Sequence, residues 1–136
     1  MENIDDFNRG VGLILGHLYQ QFPIPCILHA RELETFDASL DEARKGRRLR
    51  VYTASIHFLA EEGFIRFSSF NGDKNSGSFS NVVLTSKGLA ALSKTPQSIE
   101  KSRNTIGDVL VDLSSDLLKQ GTWEGISALI RGVLGG

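Results

Sequence analysis

Basic side chains are concentrated in one short stretch of the chain. Residues 44–50 read RKGRRLR and contain five bases, Arg44, Lys45, Arg47, Arg48 and Arg50. Bases at this density can neutralise the phosphates of a nucleic acid, and an arginine can also donate two hydrogen bonds to the edge of a guanine. Three interpretations stay open at this point: a surface that contacts DNA, a solvated loop, and a set of partners for the many acids of residues 1–42.

The charge of the chain changes sign along its length. The 136 residues carry a net charge of −1, which by itself disfavours strong binding to nucleic acid. Residues 1–42 hold eight acids and two bases, residues 43–103 eleven bases and four acids, and residues 104–136 four acids and two bases. Positive charge is therefore concentrated in the middle of the chain, where the basic run lies.

Side chains that could support catalysis or hold a metal do not occur in suitable patterns. Cys26 is the single cysteine, so an intramolecular disulfide is excluded, which is consistent with a reducing compartment. Its apolar neighbours indicate a small buried side chain rather than a nucleophile. No spacing of histidine and cysteine resembles a zinc site, and no glycine-rich stretch ends as a phosphate-binding loop does. We therefore expect no enzymatic activity, no metal and no cofactor.

Hydrophobic periodicity predicts helices on both sides of the basic run. Apolar residues recur every three or four positions over residues 4–22 and again over residues 50–62. The apolar stripe of the second helix consists of Tyr52, Ile56 and Leu59. A further helix is expected from Thr85, which can cap its start. The polar residues 37–48 remain ambiguous.

Short extended segments separate these helices. Residues 24–28, bounded by prolines, are expected to form a short strand or an extended link, and residues 31–36 to start a short helix. Residues 64–69 and 79–84 have the composition of two strands. The turn-forming residues 71–78 between them predict a hairpin with a long, flexible tip.

Two motifs give this order of elements a family resemblance. Residues 58–65 (FLAEEGFI) resemble the end of a winged-helix recognition helix where it runs into the wing, and residues 84–89 (LTSKGL) resemble the step from the wing into the next helix. Both motifs, with a hairpin between them, resemble bacterial regulators of the MarR and PadR type. The resemblance covers residues 4–92. It implies a winged helix-turn-helix fold, α+β and mostly helical, with a wing of two or three strands.

In a winged helix, the first turns of the helix before the wing enter the major groove of double-stranded DNA. The resemblance therefore implies DNA contacts from the basic run. With the core stripe turned inward, Thr53 and His57 are expected to face outward together with Arg50. Lys74, at the tip of the wing, is expected to approach the DNA backbone or the minor groove. The alternatives are an ordinary surface histidine for His57 and a mobile polar loop around Lys74.

Two amphipathic segments follow the region of the resemblance. Their apolar stripes contain the residues that we expect to mediate dimerisation: Leu110, Leu113, Leu117, Trp123, Ile126, Leu129 and Ile130. Alternatively, both segments pack on their own domain, or lie against a membrane or another protein. The acids of the first segment disfavour an anionic membrane surface. We divide the chain into a winged-helix domain, residues 1–96, and a helical tail, residues 97–136.

Taken together, these features favour a cytoplasmic transcription regulator that binds double-stranded DNA as a homodimer. No apolar run approaches the length of about 20 residues that spans a bilayer, so no membrane association is expected. A winged-helix module that binds proteins instead of DNA is the alternative, since a fold does not by itself determine a function.

Overall fold

The computed structural model describes residues 2–34, 39–73, 76–94, 105–116 and 124–135. Its elements in chain order are helix α1 (Glu2–Gln21), strand β1 (Cys26–His29), a 3₁₀ turn (Ala30–Glu32), helix α2 (Glu42–Glu61), strands β2 (Ile65–Arg66), β3 (Ser69–Asp73) and β4 (Ser76–Leu84), and helices α3 (Ser86–Leu92), α4 (Ile106–Asp116) and α5 (Glu124–Gly135). The fold is α+β and mostly helical, as predicted. Within these ranges, no helix combines the length and the hydropathy needed to cross a membrane.

Strand β4 is the centre of a small antiparallel sheet. β1 pairs with one edge of β4, and β2 and β3 pair with the other edge, which places the strands in the order β1-β4-β2 with β3 also on β4. The register pairs Cys26 with Val82, Ile65 with Leu84, and Phe70 with Phe79. Residues far apart in the sequence, on either side of α2, are thereby joined through one strand.

The hairpin of β3 and β4 is longer than the sequence predicts. Pairing continues to Asp73 and Ser76, so the expected long tip over residues 71–78 is wrong. The glycines that suggested a turn lie inside the ladder, where Gly72 pairs with Gly77. A Cβ at Gly77 would collide with the ring of Phe70, so glycine makes room for this ring instead of marking a turn.

The two motifs of the family resemblance meet in space. α2 is followed by Gly63 with φ of 86°, a backbone conformation that favours glycine. The hydroxyl of Thr85 donates to the carbonyl of Gly63 at 2.5 Å and accepts from the amide of Gly88 at 3.1 Å, which caps α3. A Cβ at Gly88 would collide with the carbonyl oxygen of Phe64. Local geometry therefore requires glycine at both positions, at Gly63 where the chain enters the sheet and at Gly88 just after it leaves the sheet.

The hydrophobic core lies between α1, α2 and the inner face of the sheet. The predicted inward stripe of α2 is confirmed, since Tyr52, Ile56 and Leu59 are fully buried. Ile56 and Leu59 are joined by buried residues of α1 and β4, among them Ile14, Leu18, Phe79 and Leu84, whereas Tyr52 belongs to a second buried cluster with Leu13 and Ala30. α1 is thus held on one side by α2.

The other side of α1 is covered by the tail. Leu110 of α4 and Ile130 of α5 are buried in the same core as the rest of the chain. Gly16 allows this approach, because a Cβ there would lie 3.1 Å from the carbonyl oxygen of Leu110. Tyr19 shares a hydrogen bond of 3.0 Å with the hydroxyl of Thr105, next to the start of α4.

Dimerisation through Leu110 and Ile130 is therefore a wrong expectation, because both side chains are already buried against their own chain. Leu129 is partly buried against the same core. Helices α4 and α5 of the tail cover the side of α1 that α2 leaves open. Of the other predicted dimer residues, Leu117 and Trp123 and the side chains of Leu113 and Ile126 lie outside the part of the chain that the structure describes.

The segment between β1 and α2 departs from the expected helix. A 3₁₀ turn covers residues 30–32, and residues 35–38 lie outside the described ranges. α2 begins at Glu42 rather than at residue 50, because the carboxylate of Asp41 accepts a hydrogen bond of 2.8 Å from the amide of Arg44 and caps the helix. Residues 42–48 of the ambiguous polar stretch thus form the first two turns of α2.

Candidate nucleic-acid interface

The basic run lies on the first turns of α2. An α-helix has about 3.6 residues per turn, so neighbouring bases on it point in different directions. The run therefore does not form one continuous basic surface. Three of its bases, Arg44, Arg47 and Arg50, are exposed, whereas Lys45 and Arg48 are partly buried.

Arg48 points into the protein. Its side chain is 12% exposed and forms ion pairs with Glu34 at 3.3 Å and with Asp6 at 3.4 Å. Both acids are buried, and Glu34 also pairs with Arg9 at 3.5 Å. Buried acids require such partners, because an unpaired charge away from water is strongly destabilising. Arg48 therefore connects α2 to α1 and to the segment after the 3₁₀ turn, and it is not placed to contact DNA.

Tyr52 completes this ion-pair cluster. Its hydroxyl, one turn after Arg48, donates a hydrogen bond to the Glu34 carboxylate. Burial and the adjacent Glu34 charge raise the pKa of the Tyr52 hydroxyl well above its ordinary value of 10.0. The hydroxyl therefore stays protonated and remains a donor to Glu34. We call Asp6, Arg9, Glu34, Arg48 and Tyr52 the inner cluster.

Thr53 and His57 do not form the expected outward face. Thr53 is only 2% exposed, and its hydroxyl donates to the carbonyl of Leu49 at 2.9 Å, so the predicted outward position is wrong. His57 is partly buried and packs edge-on against Phe70 and Phe79, with ring centroids 4.9 Å and 5.0 Å away. The hairpin covers the side of α2 that carries His57, which the periodicity of the helix alone leaves open.

The remaining bases surround an open cleft beside the start of α2. The cleft has a volume of about 750 Å³ and is lined by four bases, Arg31, Lys45, Arg47 and Arg50, together with Glu42, Ala43, Gly46 and Leu49. Lys45 lies 3.5 Å from the exposed carboxylate of Glu42, while the Arg47 side chain donates to Asn3 at 3.1 Å. Nothing lies within 4 Å of the position that a Cβ of Gly46 would occupy. We call this cavity the basic cleft.

Arg31 is a cleft residue that the sequence analysis did not include. It belongs to the 3₁₀ turn and lies far from the basic run in the sequence. The pairing of β1 with β4 brings the 3₁₀ turn beside α2, so only the fold reveals its position. The sequence shows that Arg31 is a base that follows a short strand. Nothing in its distance from the basic run along the chain indicates that the two lie together in space. Lys74, the base predicted at the tip of the wing, lies outside the described residues.

An apolar groove lies next to the basic cleft, between α2 and the start of α1. Its volume is about 570 Å³, and its lining consists of Asn3, Ile4, Phe7, Arg47, Arg50, Val51, Ala54, Ser55 and Phe58. Phe7 and Phe58 contact each other edge-on, with centroids 5.3 Å apart. Phe58 is nevertheless 39% exposed, and Ile4 is 54% exposed. Arg47 and Arg50 line both this apolar groove and the basic cleft.

Other chemistry-bearing residues do not converge on either cavity. Over the described ranges, no three or more His, Cys, Asp or Glu side chains are grouped so that they could hold a metal ion. Burial raises the pKa of the Cys26 thiol, which keeps it in the protonated, poorly nucleophilic form. The basic cleft is therefore the site with the clearest chemical character.

Comparison of the chain with protein-family models, with curated proteins and with solved structures finds no match. The resemblance to winged-helix regulators thus depends on the two motifs and on the arrangement of the elements that carry them.

Proposed function

We propose that this chain is a winged-helix protein that binds double-stranded DNA through the basic cleft and acts as a transcription regulator. The observation that carries the proposal is the cleft itself, where four bases face one acid around an open cavity at the start of α2. Cations at this density bind the phosphate backbone with little dependence on base sequence. The exposed positions of Arg47 and Arg50 would allow them to reach base edges as well.

The order of the elements also supports the proposal. α2 leads through Gly63 directly into the sheet, and the hairpin of β3 and β4 leads through Thr85 into α3. A helix that precedes a hairpin in this way would insert its first turns into the major groove, with the hairpin beside it. The 3₁₀ turn of residues 30–32 departs from this order, because it stands where the start of a short helix is expected.

A titration of a labelled duplex tests DNA binding. We expect fluorescence anisotropy with a duplex of about 20 base pairs, long enough for two major-groove turns, to show binding. Its affinity should fall between about 50 and 200 mM salt with a logarithmic slope of about −3 to −4, because four bases would each displace a counterion. The double substitution Arg31→Glu with Lys45→Glu should reduce the affinity at least about tenfold at the lower salt concentration.

The matched control changes the charge by the same amount elsewhere. Lys94 and Arg131 are exposed and lie outside the basic cleft, so Lys94→Glu with Arg131→Glu should leave the affinity close to that of the wild type. Absence of binding by the wild type at low salt, or equal losses in the two double variants, would contradict the proposal.

A second candidate function, a module that binds proteins, is favoured by the exposed apolar side chains of Ile4 and Phe58 in the groove. It would replace the first if the wild type bound no duplex at low salt but retained a protein partner that Phe58→Glu lost.

A further inference from the structure

The outward face of α2 has a charge gradient along its length. Five of its exposed residues, at helical spacing, form one stripe: Arg47, Arg50, Ala54, Phe58 and Glu61. The first two are cations, the middle one is small, the fourth is a large apolar residue and the last is an acid. A further acid, Glu62, follows at the end of the helix. We call the five residues from Arg47 to Glu61 the outer stripe.

The outer stripe is self-complementary when it is read in both directions from Ala54. Arg50 and Phe58 lie four residues on either side of Ala54, and Arg47 and Glu61 lie seven residues on either side. At the helical rise, these distances are about 6 Å and about 10.5 Å along the axis. A two-fold axis through Ala54 would therefore bring each cation of one helix opposite an acid or an aromatic ring of the other helix, and both of these attract a positive charge.

We propose that the outer stripe is an interface at which a second copy of this chain docks, with the two α2 helices antiparallel. Arg47 of each copy meets Glu61 of the other copy as an ion pair, and Arg50 meets the exposed ring of Phe58 in a cation–π contact. The small side chain of Ala54 at the crossing point lets the helix axes approach to about 8 to 10 Å.

The exposed apolar side chains of the apolar groove favour the docking of a second copy over leaving this face in contact with water. Phe58 is exposed although it packs against Phe7, and Ile4 beside it is more than half exposed. The second copy covers both apolar side chains, and it also places the cations at one end of the stripe opposite Phe58 and Glu61 at the other end. A parallel arrangement, by contrast, would set Arg47 against Arg47 and Glu61 against Glu61.

The association is expected to be weak. An interface built on one helix from each copy is at the small end of the range, below about 1,200 Å² of total buried area. Pairing also covers Arg47 and Arg50, which line the basic cleft as well. On the proposed function, a paired chain and a DNA-bound chain therefore exclude each other at this face.

A charge-swap experiment tests the pairing, without nucleic acid, by sedimentation equilibrium of the full chain. The wild type should show a monomer–dimer equilibrium between about 10 µM and 1 mM protein, the range suited to a weak interface. Arg47→Glu alone sets two carboxylates opposite each other, and Glu61→Arg alone sets two guanidinium groups opposite each other. Each single variant should associate at least about tenfold more weakly, because like charges then meet at the interface.

Two restorations should follow if the antiparallel register is right. The double variant Arg47→Glu with Glu61→Arg should dimerise again, and an equimolar mixture of the two single variants should form a heterodimer. Arg131→Glu, an exposed charge reversal on α5, should leave the wild-type equilibrium unchanged. Circular dichroism of every variant establishes that it is folded.

A wild type that stays monomeric at about 1 mM protein overturns the pairing, since even weak interfaces are populated there. So do single variants that associate as the wild type does, and so does a lack of restoration in both the double variant and the mixture. Because nucleic acid is absent throughout, these results are independent of whether the chain binds DNA.

Discussion

Arg47 and Arg48 are neighbours in the sequence but lie in opposite environments on α2. Arg48 is inside the protein and paired with Glu34 and Asp6, whereas Arg47 is exposed at the rim of the basic cleft. The inner cluster and the outer stripe thus both contain arginine and glutamate, but in different environments. On the inner side charge holds three segments together, and on the outer side it lies at the exposed surface, where Arg47 donates to Asn3. Successive residues on a helix point in different directions. The bases of a basic run must therefore be assigned to the buried or the exposed face of the helix before a function is given to them.

The largest expected effect is the loss of Arg48. Arg48→Ala leaves the buried carboxylates of Asp6 and Glu34 without their shared partner and should lower the free energy of unfolding by about 3 to 5 kcal/mol. Arg47→Ala, on the outer side, should lower it by less than about 1 kcal/mol. Urea denaturation of both variants measures the difference, and equal losses would remove the distinction between the two faces.

Tyr52 gives the inner cluster a pH dependence. The folded state holds the Tyr52 pKa above its ordinary value of 10.0, so its contribution to stability is complete below that pH and is lost as the pH rises through and above it. Tyr52→Phe should lower the free energy of unfolding at neutral pH by about 1 to 3 kcal/mol, since Glu34 loses a donor. Thermal unfolding across alkaline pH should show a shallower loss of stability for Tyr52→Phe. If stability fell with pH equally steeply in both proteins, the pKa of the Tyr52 hydroxyl would be the same in the folded and unfolded states.

A substitution at Gly46 tests whether the side of α2 that lines the basic cleft is free of contacts with other parts of the chain. Apart from its two chain neighbours and the backbone of its own helix, no atom lies within 4 Å of a Cβ built at this position, and glycine inside a helix is less stable than alanine. Gly46→Ala should therefore raise the free energy of unfolding by about 0.5 to 1 kcal/mol. Gly88→Ala is the contrasting variant, because its Cβ would collide with the Phe64 carbonyl and should destabilise the protein. A destabilised Gly46→Ala chain would show that this side of α2 is covered.

The smallest expected change in stability belongs to Arg50. Because it is exposed on the outer stripe, Arg50→Ala should change the free energy of unfolding by no more than about 0.5 kcal/mol. If the basic cleft binds DNA, the same substitution should reduce the logarithmic salt slope by about 1. Arg66→Ala, which removes an exposed base of β2 outside the cleft, serves as the reference for both measurements.

Local patterns predicted much of the fold. The stripe of Tyr52, Ile56 and Leu59 turned inward as periodicity requires, and the turn at Gly63 and the cap at Thr85 formed where their residue types indicate. The prediction was wrong for residues whose type is compatible with two different structural positions. Glycines in the hairpin suggested a turn although Gly77 makes room for a ring, and Thr53 looked exposed although its side chain is buried.

The candidate site was predicted only in part for the same reason. Composition located the basic run, but the exclusion of Arg48 and the inclusion of Arg31 depend on contacts with α1 and on the strand pairing that places the 3₁₀ turn. Likewise, the stripes of the tail were recognisable as amphipathic, yet only packing against α1 shows what covers Leu110 and Ile130.

The amino-acid sequence by itself determined most of the helices and strands, the core face of α2 and the concentration of positive charge in residues 44–50. Each of these follows from interactions between residues a few positions apart. Tertiary structure alone decided which bases face solvent, which acids neutralise the others, and where the tail packs. The physical reason is that burial and ion pairing join residues remote in the chain, such as Asp6 with Arg48, and no local pattern encodes that proximity.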